Sequence, residues 1–249
     1  MKQITKSILT GLSLAVLTAG CQCPFGIYNP KVSYNARYID KPVKINGKTQ
    51  HQWTVPAQKL FAAPTTEITE KTYIKFRWDK QYLYCFAHLV DSDIVTEAKN
   101  DDPKSVTAGD YFELFIRPGK STVMWSFTFG PEEHKAIHFI PGPGHYKLPS
   151  TATAEECKIP VKFKVLNKGT VNNYKDKDKF WNVEIAIPLK DMEKYGGTIK
   201  PGTVWNVLAY RRNYSVYLSD AETSISQNHD DKVQYIMKDK SWAKLKFTK

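Results

Sequence analysis

Apolar residues recur at every second position in short runs broken by Gly and Pro, and this pattern constrains the fold more than any other feature. Residues 72–78 read Thr-Tyr-Ile-Lys-Phe-Arg-Trp. A strand of that sequence puts Ile74, Phe76 and Trp78 on one face and Tyr73, Lys75 and Arg77 on the other. Asp79-Lys80-Gln81 supplies a turn, and residues 82–90 return as a nearly continuous apolar strand, which predicts a hairpin. The same reading predicts strands at 111–117, 122–129, 135–140, 161–166, 180–187, 204–211, 215–218 and 242–247. Pro118-Gly119, Gly130-Pro131, Pro141-Gly142-Pro143-Gly144 and Pro201-Gly202 punctuate them. Only 189–195 predicts a helix, of about two turns. Without helices between the strands, a parallel βαβ sheet is excluded. The predicted fold class is all-β, an antiparallel β-sandwich with very little helix.

The first 20 residues predict an export signal. Lys2 and Lys6 give a positive start, and residues 8–17 are mostly apolar. That run is too short for a hydrocarbon core needing ~20 residues, and suits a signal-peptide core. It ends in Leu17-Thr18-Ala19-Gly20-Cys21, which resembles a bacterial lipobox. The resemblance implies cleavage before Cys21 and lipidation of Cys21. The expected organisation is a signal peptide at 1–20, a tether from lipidated Cys21 over 21–35, and one domain over 36–249. The expected location is the cell envelope, extracytoplasmic and lipid-anchored. With Gln22 rather than Asp after the cysteine, the outer membrane is expected in a Gram-negative host.

Lys and Arg number 36 against 25 Asp and Glu, a formal charge of +11. The lysines are scattered, and no recognition helix, zinc spacing or RNA-binding signature accompanies them, so no nucleic-acid partner is predicted. The basic surface reads as a solvated face. Of four cysteines, Cys21 is assigned to lipid and Cys23 to the tether. Cys85 and Cys157 could form a disulfide in an oxidising compartment, or stay as buried thiols.

Several segments fall in an order that resembles carbohydrate-binding module family 9 and its DOMON-related sandwich relatives. They are Tyr38-Ile39-Asp40 with Ile45-Asn46-Gly47; Ile74 to Asp79 leading into Tyr82-Leu83-Tyr84; Val90-Asp91-Ser92-Asp93; Gly109-Asp110-Tyr111-Phe112-Glu113-Leu114-Phe115; Trp125 to Gly130; Trp181 to Pro188; and Trp205-Asn206-Val207 with Arg211. The match spans roughly 36–249. It implies an immunoglobulin-like or DOMON-like sandwich, sugar binding, a role beside glycoside hydrolases in polysaccharide breakdown, and in some members calcium. Family members clamp a sugar between two tryptophans. The corresponding stretches here, Ser105 to Gly109 and Ser224 to Gln227, contain none.

The candidate residues follow from both readings. Alternation puts Glu113 on one face with Tyr111, Phe115 and Arg117. The resemblance implies that Glu113 accepts sugar hydroxyls; the alternative is a structural pair with an arginine. One of Arg211 and Arg212 must point inward, and Arg211 is the expected ligand-bonding guanidinium. Trp125, Tyr146 and Tyr214 are the expected stacking surfaces. Asp91, Asp93 and Asp110, with Asp101 and Asp102, could hold calcium or serve as turn aspartates. No nucleophile motif, phosphate loop or opposed carboxylate pair predicts catalysis. Two alternatives stand: a DOMON-like haem protein using Met124 and His138, and an envelope scaffold without a ligand.

Overall fold

The computed structural model describes residues 33–62, 67–140, 159–226 and 242–249. Its first half contains β1 (Ser33–Tyr38), β2 (Gln58–Lys59), β3 (Phe61–Ala62), β4 (Thr72–Trp78), β5 (Tyr82–Val90), α1 (Pro103–Val106), β6 (Tyr111–Arg117) and β7 (Met124–Phe129). Then come β8 (Lys135–Ile140), β9 (Lys162–Lys168), β10 (Phe180–Pro188), α2 (Leu189–Gly196), β11 (Val204–Asn213), β12 (Glu222–Ile225) and β13 (Ala243–Thr248).

The strands hydrogen-bond in the order β8-β7-β6-β11-β13-β1-β4-β5-β10-β9. The ladder curls on itself, so strands distant in that order share one core. Phe129 of β7 and Phe163 of β9 have ring centroids 5.0 Å apart. The inward residues are those that alternation selects: Ile74 and Phe76, Phe112 and Leu114, Phe127 and Phe129, Val183 and Ile185, Val207 and Ala209. Complete burial of one such side chain contributes ~1.5–3 kcal/mol. α2 closes one end with Leu189 and Met192 turned inward.

The all-β sandwich expected from the sequence is therefore present, with one departure from antiparallel pairing. β1 lies parallel to both β13 and β4. It starts at Ser33, inside the stretch expected to be tether. The predicted strand at 215–218 is a turn, and a strand at Glu222–Ile225 pairs with β11 instead.

Glu184 shows how the fold satisfies a carboxylate in its interior. It is 0% exposed, on a strand flanked by Val183 and Ile185. It accepts from the Asn46 amide at 2.6 Å, the Gly47 amide at 2.9 Å, Gln50 Nε2 at 3.0 Å and Trp53 Nε1 at 2.7 Å. A buried carboxylate is tolerated when hydrogen-bonded in this way. The four bonds pin residues 46–53 across β10.

Candidate functional site

Glu113 occupies the face of β6 that points away from the core. Cross-strand register sets it beside Thr128 of β7 and Tyr210 of β11. The hydroxyls of Ser126 and Thr128 both donate to its Oε1, the latter at 3.1 Å. No described residue donates to Oε2. Burial pushes the Glu113 carboxyl above its usual value, and the two hydroxyls pull it part of the way back.

Around it stand partly exposed aromatic and cationic groups. Tyr111 and Tyr210 stack with centroids 5.8 Å apart and planes 27° apart. Burial, then Tyr210, raises the Tyr111 phenol, which therefore stays a neutral donor. Arg212 lies over the Tyr214 ring at 5.2 Å and donates to Thr223 Oγ1 at 2.6 Å. His138 is set beside Ser126 on β8, and burial lowers its imidazole. One row further along the face, Phe115, Met124, Leu208, Ile225 and Trp242 form an apolar cluster.

Gly109 positions the start of this strand. Its φ is +124°, and an added Cβ would lie 2.6 Å from Thr96 Cα and from the Val95 carbonyl oxygen. Only glycine fits that close approach. The next residue, Asp110, is buried and accepts from the Val95 and Tyr214 amides at 2.8 and 2.7 Å.

The structure moves several expected site residues elsewhere. Arg211 and Arg212 point to opposite sides of β11, and Arg211 is the inward one, at 0% exposure. Its guanidinium bonds Asp91 at 2.9 Å, the Val90 carbonyl at 2.7 Å, and Asn213. Asn213 in turn donates to Glu70 at 2.7 Å, and Trp181 Nε1 donates to Asp91 at 3.1 Å. Arg211 is thus a core ion-pair residue with no ligand-facing surface. Trp125 is likewise inside, against Phe139 at 5.1 Å and Tyr195 at 5.3 Å.

Asp91, Asp93 and Asp110 are fully buried and hold backbone and side-chain donors. Asp91 is pushed up to about 6 by burial, against the pull of Arg211. Asp110 is pushed well above its usual value by burial and by Asp91. Among the described residues, no group of three or more His, Cys, Asp or Glu could hold a metal ion, and of the two readings left open for these aspartates the structure shows them as hydrogen-bond acceptors within the fold. Met124 packs in the apolar cluster and faces Ile140 across the ladder, not His138. Cys85 is a free, fully buried thiol. Cys157, Tyr146 and Cys21 lie outside the described residues.

No protein-family model and no curated protein sequence matches the chain. Solved structures do. A candidate carbohydrate-binding protein from Bacteroides uniformis aligns with TM-score 0.66 at 11% identity, over 87% of this chain and 99% of that one. A carbohydrate binding module family 9 from Caldicellulosiruptor kristjanssonii, in complex with cellotriose, aligns with TM-score 0.55 at 15% identity, over 87% and 93%. A family 9 module from the same organism in complex with glucose gives 0.53 at 13%, over 87% and 95%. The chain has a family 9-like fold.

Within this family 9-like fold, no tryptophan platform exists. The chain's six tryptophans are Trp53, Trp78, Trp125, Trp181, Trp205 and Trp242. All are buried, none more than 5% exposed. The accessible rings beside Glu113 are tyrosines. Sequence reasoning missed Tyr210, Arg212, Ser126 and Thr128. Alternation along β11 and β7 was the available signal, since Tyr210 and Arg212 share a face, as do Ser126 and Thr128.

Proposed function

We propose that this chain is a non-catalytic carbohydrate-binding protein that holds a saccharide on the outer face of β6, β7 and β11. The supporting observation is Glu113: one carboxylate oxygen is fixed by Ser126 and Thr128, while no described residue donates to the other. A sugar hydroxyl is the donor that completes it. The rings of Tyr111, Tyr210 and Tyr214 offer apolar surface for sugar C–H groups. Arg212 adds a planar donor. The similar family 9 modules are complexed with cellotriose and glucose, so β-glucan oligosaccharides are the first ligands to test.

The cell-envelope setting is part of the proposal. Leu17 to Cys21 supports lipidation at Cys21, a membrane anchor and an extracytoplasmic location, at the outer membrane in a Gram-negative host. There the protein would retain glycan for neighbouring glycoside hydrolases. Calorimetric titration with cellotriose tests the binding. Heat of binding in the wild type, lost in Glu113→Gln with unchanged melting temperature, supports the site. Equal affinity in both proteins refutes it. Labelled palmitate incorporated by the wild type but not by Cys21→Ala supports the anchor; no incorporation by the wild type refutes it.

A further inference from the structure

A second cluster of polar groups lies on the outside of β1 and β4, away from the Glu113 face. Arg37 points outward from β1, between Ala36 and Tyr38, and Lys75 and Arg77 point outward from β4. Parallel register sets Arg37 directly beside Arg77, and Lys246 of β13 beside Asn35. Adjacent like charges are unfavourable unless something offsets them. Among the described residues, none of Arg37, Lys75 and Arg77 forms an ion pair. Arg77 Nε donates to the Gln52 carbonyl, and Lys75 Nζ to the Trp53 carbonyl at 2.8 Å. Burial lowers both cations' pKa values, and the next cation lowers each further: Arg77 acts on Lys75, and Arg37 on Arg77.

Arg37 and Lys75 border a cavity of about 350 Å³ between β1, β4 and the segment leading into β2. Ligand pockets typically measure ~300–1,000 Å³. Arg37, Lys75 and Asn35 line it with Val55, Pro56 and Gln58, and no acidic side chain does. Gln58 Nε2 is committed to the Ser33 carbonyl at 3.1 Å, which fixes this wall of the cavity. The cavity thus asks for an anion against an apolar wall.

We propose that this cavity is a second saccharide site, for a sugar unit that carries a carboxylate or a sulfate. The anion sits against Arg37 and Lys75, and the ring packs on Val55 and Pro56. This site is independent of the Glu113 face, so either can fail alone.

The test is calorimetric titration of the full chain in detergent at low salt, with trigalacturonate, a sulfated trisaccharide and neutral cellotriose. One or both acidic oligosaccharides should bind, and which one binds identifies the anion. Affinity should fall with added salt. Arg37→Gln, an exposed position, should weaken acidic binding about tenfold, the loss of one charge-assisted bond. Glu113→Gln should leave it unchanged. Unaltered affinity in Arg37→Gln, or no binding of either acidic sugar, overturns the proposal. So does a result in which Arg37→Gln abolishes binding only to phosphatidylglycerol vesicles, which would make the cluster a membrane contact. Absence of cellotriose binding with acidic binding intact would refute the Glu113 site alone.

Discussion

Glu113 and Glu184 have nearly the same local sequence and opposite surroundings. Each sits mid-strand between two apolar residues, Phe112 and Leu114 in one case, Val183 and Ile185 in the other. Glu184 is sealed, with four donors shared between its two oxygens. Glu113 has two donors on one oxygen and is partly accessible. The difference comes from what covers the outer face. Over β10 the 46–53 segment lies across the sheet, while at β6 the described residues that donate to the carboxylate are the hydroxyls of Ser126 and Thr128. A strand carboxylate is structural where a loop completes it; at Glu113 no described loop does, and there a ligand is proposed to take that place.

The largest expected break in this comparison is at the sealed end. Glu184→Ala leaves several buried donors unpaired, each costing ~1–3 kcal/mol, so a loss of at least ~3 kcal/mol is expected in denaturant unfolding. Arg211→Met strands Asp91 in the core, and a loss of ~3–5 kcal/mol is expected by the same measurement. At the open end the effect shifts from stability to binding. Glu113→Gln should change stability by less than ~1 kcal/mol but weaken saccharide binding by ~1.5–3 kcal/mol, the range for a hydrogen bond to a charged group.

The pH dependence separates the two roles further. Because the folded pKa of Glu113 is raised, its neutral form favours folding at low pH. That contribution fades as pH rises from the unfolded value through the folded one. Saccharide binding at the proposed site would need the carboxylate and should change in the opposite sense, strengthening across the same window. Titrations at pH 4.5 and pH 7 should show the weaker affinity at pH 4.5. The smallest effect is at the rim: Tyr214→Phe keeps the ring, and a change under ~1 kcal/mol in affinity is expected.

The strands were legible because their alternation is strict: residues 72–78, 82–90, 111–117 and 135–140 are strands at the boundaries that the pattern predicts. The outward placement of Glu113 came from the same alternation. Other features were not local. β1 is held by two parallel neighbours from distant parts of the chain, and its own sequence, Ser-Tyr-Asn-Ala-Arg-Tyr, carries little apolar signal. β12 reads Glu-Thr-Ser-Ile, polar except for Ile225, yet all four residues are buried. Alternation says that one of Arg211 and Arg212 points inward but not which. That choice is made by Asp91 and Asn213, which wait inside the sheet for a guanidinium. Trp125 shares a face with Phe127 and Phe129, so its place in the core was readable from β7 itself.

At the proposed site Glu113 is an open carboxylate completed by sugar hydroxyls. Carbon-13 NMR titration of its carboxyl carbon, without ligand and with saturating cellotriose, tests it directly. The account predicts a pKa above the usual glutamate value in the free protein and a fall on saturation, because hydroxyl donors favour the carboxylate. A Glu113 pKa that is the same with and without bound sugar would contradict it.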